Sequence, residues 1–341
     1  MLVDLHAHFP MHLLVDEQQR THERARTWWR QRWQGTIVDL ISRFANYQGP
    51  GDRPSVTEQL MRDGNVGVAL SVLYQPFDEL DFTQSYGARP LRGYFEDVVD
   101  QRQTVEDYVK AHPAEIAVAH SAPELDAKVK AGTPVLVHAI EGGFQLGASA
   151  KEVQDNVRVL AGLGVAYVTV AHLFFRDVAT NAPALPFLPD RLYNWAFPQA
   201  KGLGLTPLGR EVIEAMIDEG ILIDITHMRS QSIDDVFALL EARDPDNEIP
   251  VIATHMAYRF GGLEYCFDEG TVMRGAQRGG LLGLICCEHY ITSGLSGIDK
   301  SIEGSVRALC RHIDKLHATT TSPSARISTA TSSPRYLDST T

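Results

Sequence analysis

The sequence predicts an α/β fold, specifically a (β/α)8 TIM-like barrel whose eighth strand is missing or disrupted. Short apolar, β-branched segments alternate along the chain with amphipathic stretches, each segment bounded by Gly, Pro or polar residues. No glycine-rich dinucleotide turn follows the first segment, which argues against a doubly wound sheet. With 341 residues, 44% of them hydrophobic and 22% charged, the chain carries enough apolar material for one large core.

In chain order the candidate strands are Leu2–Leu5, Val66–Tyr74, Pro134–Ile140, Ala166–Ala171, Ile221–Ile225, Val251–Ala253 and Leu281–Ile285. An extra, off-register strand is expected near Ile116–Ala119. Near-continuous apolar runs of this kind suit parallel strands buried on both faces. Helices are expected at Lys151–Leu163, Pro207–Glu219, Ser232–Arg243 and Gly304–His317. Thr206 and Pro207 supply an N-cap and a first-turn proline, and Gly220 supplies the stop. Residues 1–319 read as a single barrel domain with an insertion at about 11–63, too long for a simple connection and carrying Trp28, Trp29 and Trp33. That insertion is either a functional cover over the barrel mouth or a helical pair packed on its side.

A net charge of -12 without a Lys/Arg cluster argues against a nucleic-acid partner. No basic leader, long apolar run or cleavage site is read after Met1, so the expected location is cytoplasmic, without a membrane partner. The four cysteines, Cys266, Cys286, Cys287 and Cys310, lack zinc-ribbon spacing and are expected to be buried thiols.

The chemistry lies in polar residues at strand ends. His6 and His8 are two residues apart at the end of the first strand, so both side chains leave on the same face. Glu141, His172, His227 and His255 each follow a later strand. Barrel active sites gather at the C-terminal ends of strands, and so many buried imidazoles could not each find a separate packing role. Neutral imidazoles and carboxylates suit zinc and related divalent ions, and a carboxylate can bridge two of them. Glu141 is the natural bridge. His138 is an alternative ligand, but three residues before Glu141 on a strand it faces the other way and is assigned to structure.

The segments Ile140-Glu141-Gly142-Gly143, Gly204-Leu205-Thr206-Pro207-Leu208-Gly209, Asp224-Ile225-Thr226-His227 and Ala253-Thr254-His255 resemble successive landmarks of the membrane (renal) dipeptidase family of amidohydrolase-type enzymes, in the family's order. The resemblance runs from His6 to about Gly283. It implies a metal-dependent hydrolase that cleaves dipeptides with two divalent cations, zinc in the family. Glu141 is then the bridge, His6 and His8 serve one ion, and His227 and His255 the other. His172 is implied as the catalytic group that hydrogen-bonds the oxyanion, and Arg259 as the arginine that binds the substrate carboxylate, with Arg229 a weaker candidate. The expected partner is a small-molecule dipeptide or related amide, and a homodimer is left open.

Two departures bear on function. The family usually has Asp where His8 stands, which loosens the inference to dipeptides and admits a lactonase, deaminase or amidase. The family also closes its barrel with an eighth strand bearing an Ile-Gly-x-Asp-x-Asp-Gly motif, whose first Asp handles protons. Here residues 320–341 form a Ser/Thr-rich tail with too few apolar residues for a buried strand, so no inner eighth strand is expected between the first and seventh. Read one frame away, with synonymous codons chosen, the codons after Thr320 permit Asp-Leu-Ala-Ile-Gly-Thr-Asp-Leu-Asp-Gly. The family's Asp would then straddle the codons of Arg326 and Ile327. A frameshifted, non-native tail follows, and with it the alternative of a catalytically impaired, metal-binding barrel.

Overall fold

The computed structural model describes residues 1–13, 56–81, 83–320 and 326–328. The insertion's tryptophans and most of residues 11–63 lie outside the described residues. Seven parallel strands form the barrel wall: β1 (Leu2–Ala7), β2 (Val66–Leu73), β4 (Val135–Glu141), β5 (Tyr167–Thr169), β6 (Leu222–Asp224), β7 (Val251–Met256) and β8 (Leu281–Leu284). The extra strand, β3 (Ala117–Val118), pairs only with β4, outside the main path, as its short apolar run suggested.

The seam has the expected missing or disrupted eighth strand. Arg326–Ser328, strand β9, pairs in parallel with β8, placing Arg326 opposite Leu281 and Ser328 opposite Gly283. Ladder pairing asks only for extended backbone, so a segment poor in apolar residues can still supply it. The tail therefore adds a three-residue strand in the eighth position, but no pairing joins β9 to β1 among the described residues. The barrel is nearly closed, with a disrupted eighth strand and an unsealed seam.

Two apolar layers hold this wall. The larger lies between strands and helices and joins, for example, Leu136 and Ile140 of β4 to Val153, Val157 and Leu160 of the Ala150–Gly162 helix. The smaller takes one residue from each of six strands: Leu70, Ala139, Tyr167, Leu222, Ile252 and Leu281. This is the packed barrel interior. Side chains alternate along a strand, so the residues two positions on from Ala139, Tyr167, Leu222 and Ile252 face inward one layer nearer the C-terminal ends. Those residues are Glu141, Thr169, Asp224 and Thr254.

Helix caps fix how the connections return. Thr206 caps the Pro207–Glu219 helix by accepting from Gly209 N–H, and its own hydroxyl donates to the Asp177 carbonyl. Gly220 ends that helix in the left-handed conformation at φ 70°. The segment beyond β5 is pinned at several points: Ala179 bridges Leu205, Asn181 bridges Met228, and Ala182 N–H donates to the His227 carbonyl at 2.7 Å. Of the cysteines, Cys266 and Cys287 are buried as expected, Cys286 is half-buried, and Cys310 is exposed on the polar side of the Ile302–Thr319 helix, which corrects the expectation of four buried thiols. No helix among the described residues is long and apolar enough to cross a membrane.

Gly209 marks the tightest point of this docking, because a Cβ there would stand 2.0 Å from the Val178 carbonyl oxygen. Gly209→Ala should therefore push the helix off the segment beyond β5 and lower stability by about 1–3 kcal/mol, the usual cost of overpacking. Urea denaturation checks this, and an unchanged midpoint would refute the close-approach role.

Candidate metal centre

The turn after β4 shows how the sequence delivers the central carboxylate. Glu141 is the last residue of β4, and Gly142 follows at φ 101°, a backbone conformation that side chains rarely adopt. Gly142 and Gly143 then donate to the carbonyls of Thr169 and Val170, so the chain folds back against β5 as soon as Glu141 has been presented. The Gln145 side chain donates to the Glu141 carbonyl and accepts from Gln75 N–H, tying this turn to the end of β2.

Five imidazoles meet that carboxylate, all through Nε2. His6 and His172 lie 3.1 and 3.2 Å from Glu141 Oε1, His227 and His255 lie 3.6 and 3.7 Å from the same oxygen, and His8 lies 3.3 Å from Oε2. Glu141 is 1% exposed, and His6, His172, His227 and His255 are buried with it. The expected convergence of separate strand ends is thus found in the geometry. His138 turns instead to Glu106 on the Gly93–Ala111 helix, at 3.1 Å.

Three of the rings have their outer nitrogen held by a group that can only accept. The Tyr167 hydroxyl gives its proton to the Leu5 carbonyl and so receives His6 Nδ1–H. The Thr254 hydroxyl gives its proton to Asp224 and so receives His255 Nδ1–H. Glu79 receives His172 Nδ1–H at 2.7 Å. Such outer partners fix tautomer and ring orientation. With Nδ1 protonated, His6 and His255 aim Nε2 lone pairs at a carboxylate, acceptor against acceptor, and neither Glu141 oxygen has a hydrogen-bond donor in suitable geometry.

A cation resolves this arrangement. Two nitrogens each about 2.0–2.1 Å from one tetrahedral ion stand roughly 3.3–3.5 Å apart, and the Nε2 atoms of His6 and His8 are 3.3 Å apart while those of His227 and His255 are 2.9 Å apart. Two three-residue groups, His6 with Glu141 and His255, and Glu141 with His172 and His227, each bring their ligand atoms within 4.8 Å of one another. The donor set fits divalent metal.

Electrostatics agree. Burial drives His8 down to about 3 and holds His227 and His255 well below the ordinary imidazole value, so they stay neutral. For His172 burial acts the same way, but Glu141 and Glu79 outweigh it and raise its pKa. Burial would likewise raise Glu141, yet attraction to its charged neighbours, His172 first among them, outweighs burial and holds its carboxyl well below the usual range. His227 also carries backbone strain, at φ 67°.

Arg259 stands apart from this cluster. Its guanidinium donates to the carbonyls of Cys266 and Glu264 at 2.6 and 3.0 Å and pairs with Asp268 at 3.5 Å, so it ties its own loop together. Arg229 engages Asn194 and Glu264. Two residues that sequence reading passed over are structural partners of the centre. Glu79 is one, lying in the short Pro76–Glu79 helix just past β2, where an acid at a strand's C-terminal end was a usable signal. Asp224 is the other, linked to His255 through the Thr254 hydroxyl.

The sequence matches the membrane dipeptidase family, peptidase family M19, over residues 2–330. The chain belongs to this family. The family is one of metallopeptidases, whose members use metal ions, consistent with the His/Glu groups above. Among curated proteins it is similar to the dipeptidase tcpJ of Claviceps purpurea, with 24% identity over 198 residues; the match spans 56% of this chain and 39% of that protein's length. Among solved structures it is similar in fold to a metallo peptidase from Rhodobacter sphaeroides liganded with a phosphinate mimic of the dipeptide L-Ala-D-Ala. That match has TM-score 0.68 and 15% identity, covering 98% of this chain and 87% of the other. A second, the dipeptidase AC, a metallo peptidase of family M19, has TM-score 0.63 and 16% identity, covering 88% and 84%.

Outside the metal cluster, Glu106 yields a pH test. Burial alone would raise its pKa, but hydrogen bonds from His138 and His120 and the charge of Arg102 outweigh it, taking the carboxyl from 4.5 to about 2. A folded-state pKa below the unfolded one gives stability that is complete above pH 4.5 and lost as pH falls toward about 2. Glu106→Gln should therefore flatten the loss of thermal stability across that window. Equal slopes for variant and wild type would show that the Glu106 cluster contributes nothing to acid sensitivity.

Proposed function

We propose that the protein hydrolyses the amide bond of dipeptides with two divalent cations, zinc being the best match to the donor set. The observation that carries the proposal is the convergence of five Nε2 atoms on the buried Glu141 carboxylate. Glu141 would hold both ions, with His6 and His8 serving one and His227 and His255 the other. When bound, divalent cations acidify water and polarise a carbonyl. The chain's own groups do the rest: His172 presents Nε2 toward the same pocket to steady the oxyanion, and Arg259 receives the substrate carboxylate. Because Arg259 also ties residues 264–266 together, its role in binding extends to holding that loop in shape.

A specific observation favours a second reading, a metal-binding barrel with little turnover. The proton needed by the leaving amine has its family carrier on the eighth strand, where this chain has Arg326–Ser328, which contains no acid. General acid–base groups contribute about 10²–10⁴ in rate. Turnover of L,L- and L,D-dipeptides with added zinc distinguishes the readings, since a binding barrel takes up metal without hydrolysis. Lactone and aminopurine substrates in the same panel separate a dipeptidase from its superfamily relatives. Sequencing the DNA across the codons for Thr319–Thr341 tests the shifted frame.

Two variants give separable outcomes. Glu141→Ala should lose both bound metal and turnover, and full metal occupancy in that variant would end the bridging role. Arg259→Ala should raise KM for substrates with a free carboxylate roughly 10–100-fold, as expected for a charged hydrogen bond of about 1.5–3 kcal/mol. Equal losses on carboxyl-capped substrates would make Arg259 a loop-holding residue alone.

A further inference from the structure

We infer that the aromatic ring of Tyr265 is the positioning element of His227, holding by packing an imidazole that its outer nitrogen does not hold. The inference rests on His227 and His255 serving one ion in the proposed reaction, and adds a residue outside the metal-binding set.

The two rings of this pair are secured differently. His255 is fixed at Nδ1 by the Thr254 hydroxyl at 2.9 Å. His227 Nδ1 is buried and meets no hydrogen-bond partner among the described residues. Nothing polar sets the angle of that ring, so its neighbours must. Two of them, His172 and His255, belong to the cluster itself, with ring centroids 4.7 and 4.9 Å from His227. The third is Tyr265, whose centroid lies 5.1 Å away with the ring planes at 73°. Edge-to-face contact of this kind has a preferred geometry, because the positive rim of one ring faces the negative face of the other.

Tyr265 is suited to the task because it is itself held on every side. It is 2% exposed. Its hydroxyl donates to the His255 carbonyl, and its face stacks on Tyr290 with centroids 4.3 Å apart. Arg259 donates to the carbonyls of Glu264 and Cys266, the two residues that flank it. Tyr290 in turn donates to the Ala184 carbonyl at 2.8 Å, and two residues earlier Ala182 N–H donates to the His227 carbonyl at 2.7 Å. The ring that orients His227 and the contact that secures its backbone are thus parts of one support. A residue at φ 67° needs such a support, since an unfavourable backbone conformation persists only where its surroundings enforce it.

Zinc titration of metal-free, ¹³C-histidine-labelled protein tests this, because the histidine signals that move at each step say which pair takes which ion. Tyr265→Leu should weaken the ion at His227 and His255 about 10–100-fold, the usual loss when an outer support of a ligand is removed, and leave the ion at His6 and His8 within about threefold. Tyr265→Phe keeps the ring and removes only the hydroxyl, so both ions should stay within about threefold, well short of that loss. Ring-carbon relaxation in the metal-free protein gives a second readout on the picosecond to nanosecond scale. The His227 ring should be as ordered as that of His255 in wild type, looser in Tyr265→Leu and restored in Tyr265→Phe. A mobile His227 ring in wild type, unchanged ring order or unchanged affinity at His227 and His255 in Tyr265→Leu, or an equal loss in Tyr265→Phe overturns the inference. If wild type takes up no ion at this pair yet the His227 ring loosens in Tyr265→Leu, the positioning by Tyr265 stands and the metal reading is what fails. Should Tyr265→Leu not fold, the wild-type relaxation and Tyr265→Phe still test the inference, which a mobile ring in either would sink.

Discussion

A carboxylate removed from water needs positive charge around it, and the centre of this molecule is arranged to supply that to Glu141. Its oxygens are buried against imidazoles, two of which, His6 and His255, are oriented by hydroxyls that accept their outer proton. The inner nitrogens of these two therefore face the carboxylate as lone pairs, the arrangement a cation would suit. Parallel strands make this arrangement reachable, because every strand points the same way and each ends near the same mouth. The barrel interior then sorts the residues by layer, with an apolar layer around Ala139, Tyr167 and Ile252 and, two residues further along each strand, a polar one.

Within the polar layer, Asp224 acts as the internal tie. It accepts from the hydroxyls of Thr169, Thr226 and Thr254 and from the backbone N–H groups of Thr226 and Thr254. Three neighbouring strands are drawn onto one side chain. Thr254 passes the effect to His255 through its hydroxyl, and Thr226 immediately precedes His227.

The strands were legible because their apolar, β-branched runs are nearly continuous, and the Pro207–Glu219 helix was legible from its cap, proline and terminal glycine. The Gly93–Ala111 helix was not, since its buried residues, Tyr94, Phe95, Val98, Gln101, Val105 and Val109, form a thin stripe in an otherwise charged segment. Of the centre, the inner groups could be read because they punctuate strand ends. Glu79 also follows a strand, but its contact with the centre is told only by distances to Tyr74, His172 and Phe174 that no local pattern encodes. Arg259 shows the converse: a sequence landmark suggests substrate binding, whereas the fold reveals how much of its guanidinium serves its own loop.

The tie at Asp224 also preorganises the imidazoles. A flexible chain must give up conformational freedom to gather imidazoles around an ion, but here His227 and His255 are brought together when strands β6 and β7 pair and the threonines close on Asp224. The entropy of gathering is spent in folding. Any ion held by this cluster would thus owe its affinity to the same interactions that keep the fold intact, a buried threonine hydroxyl among them.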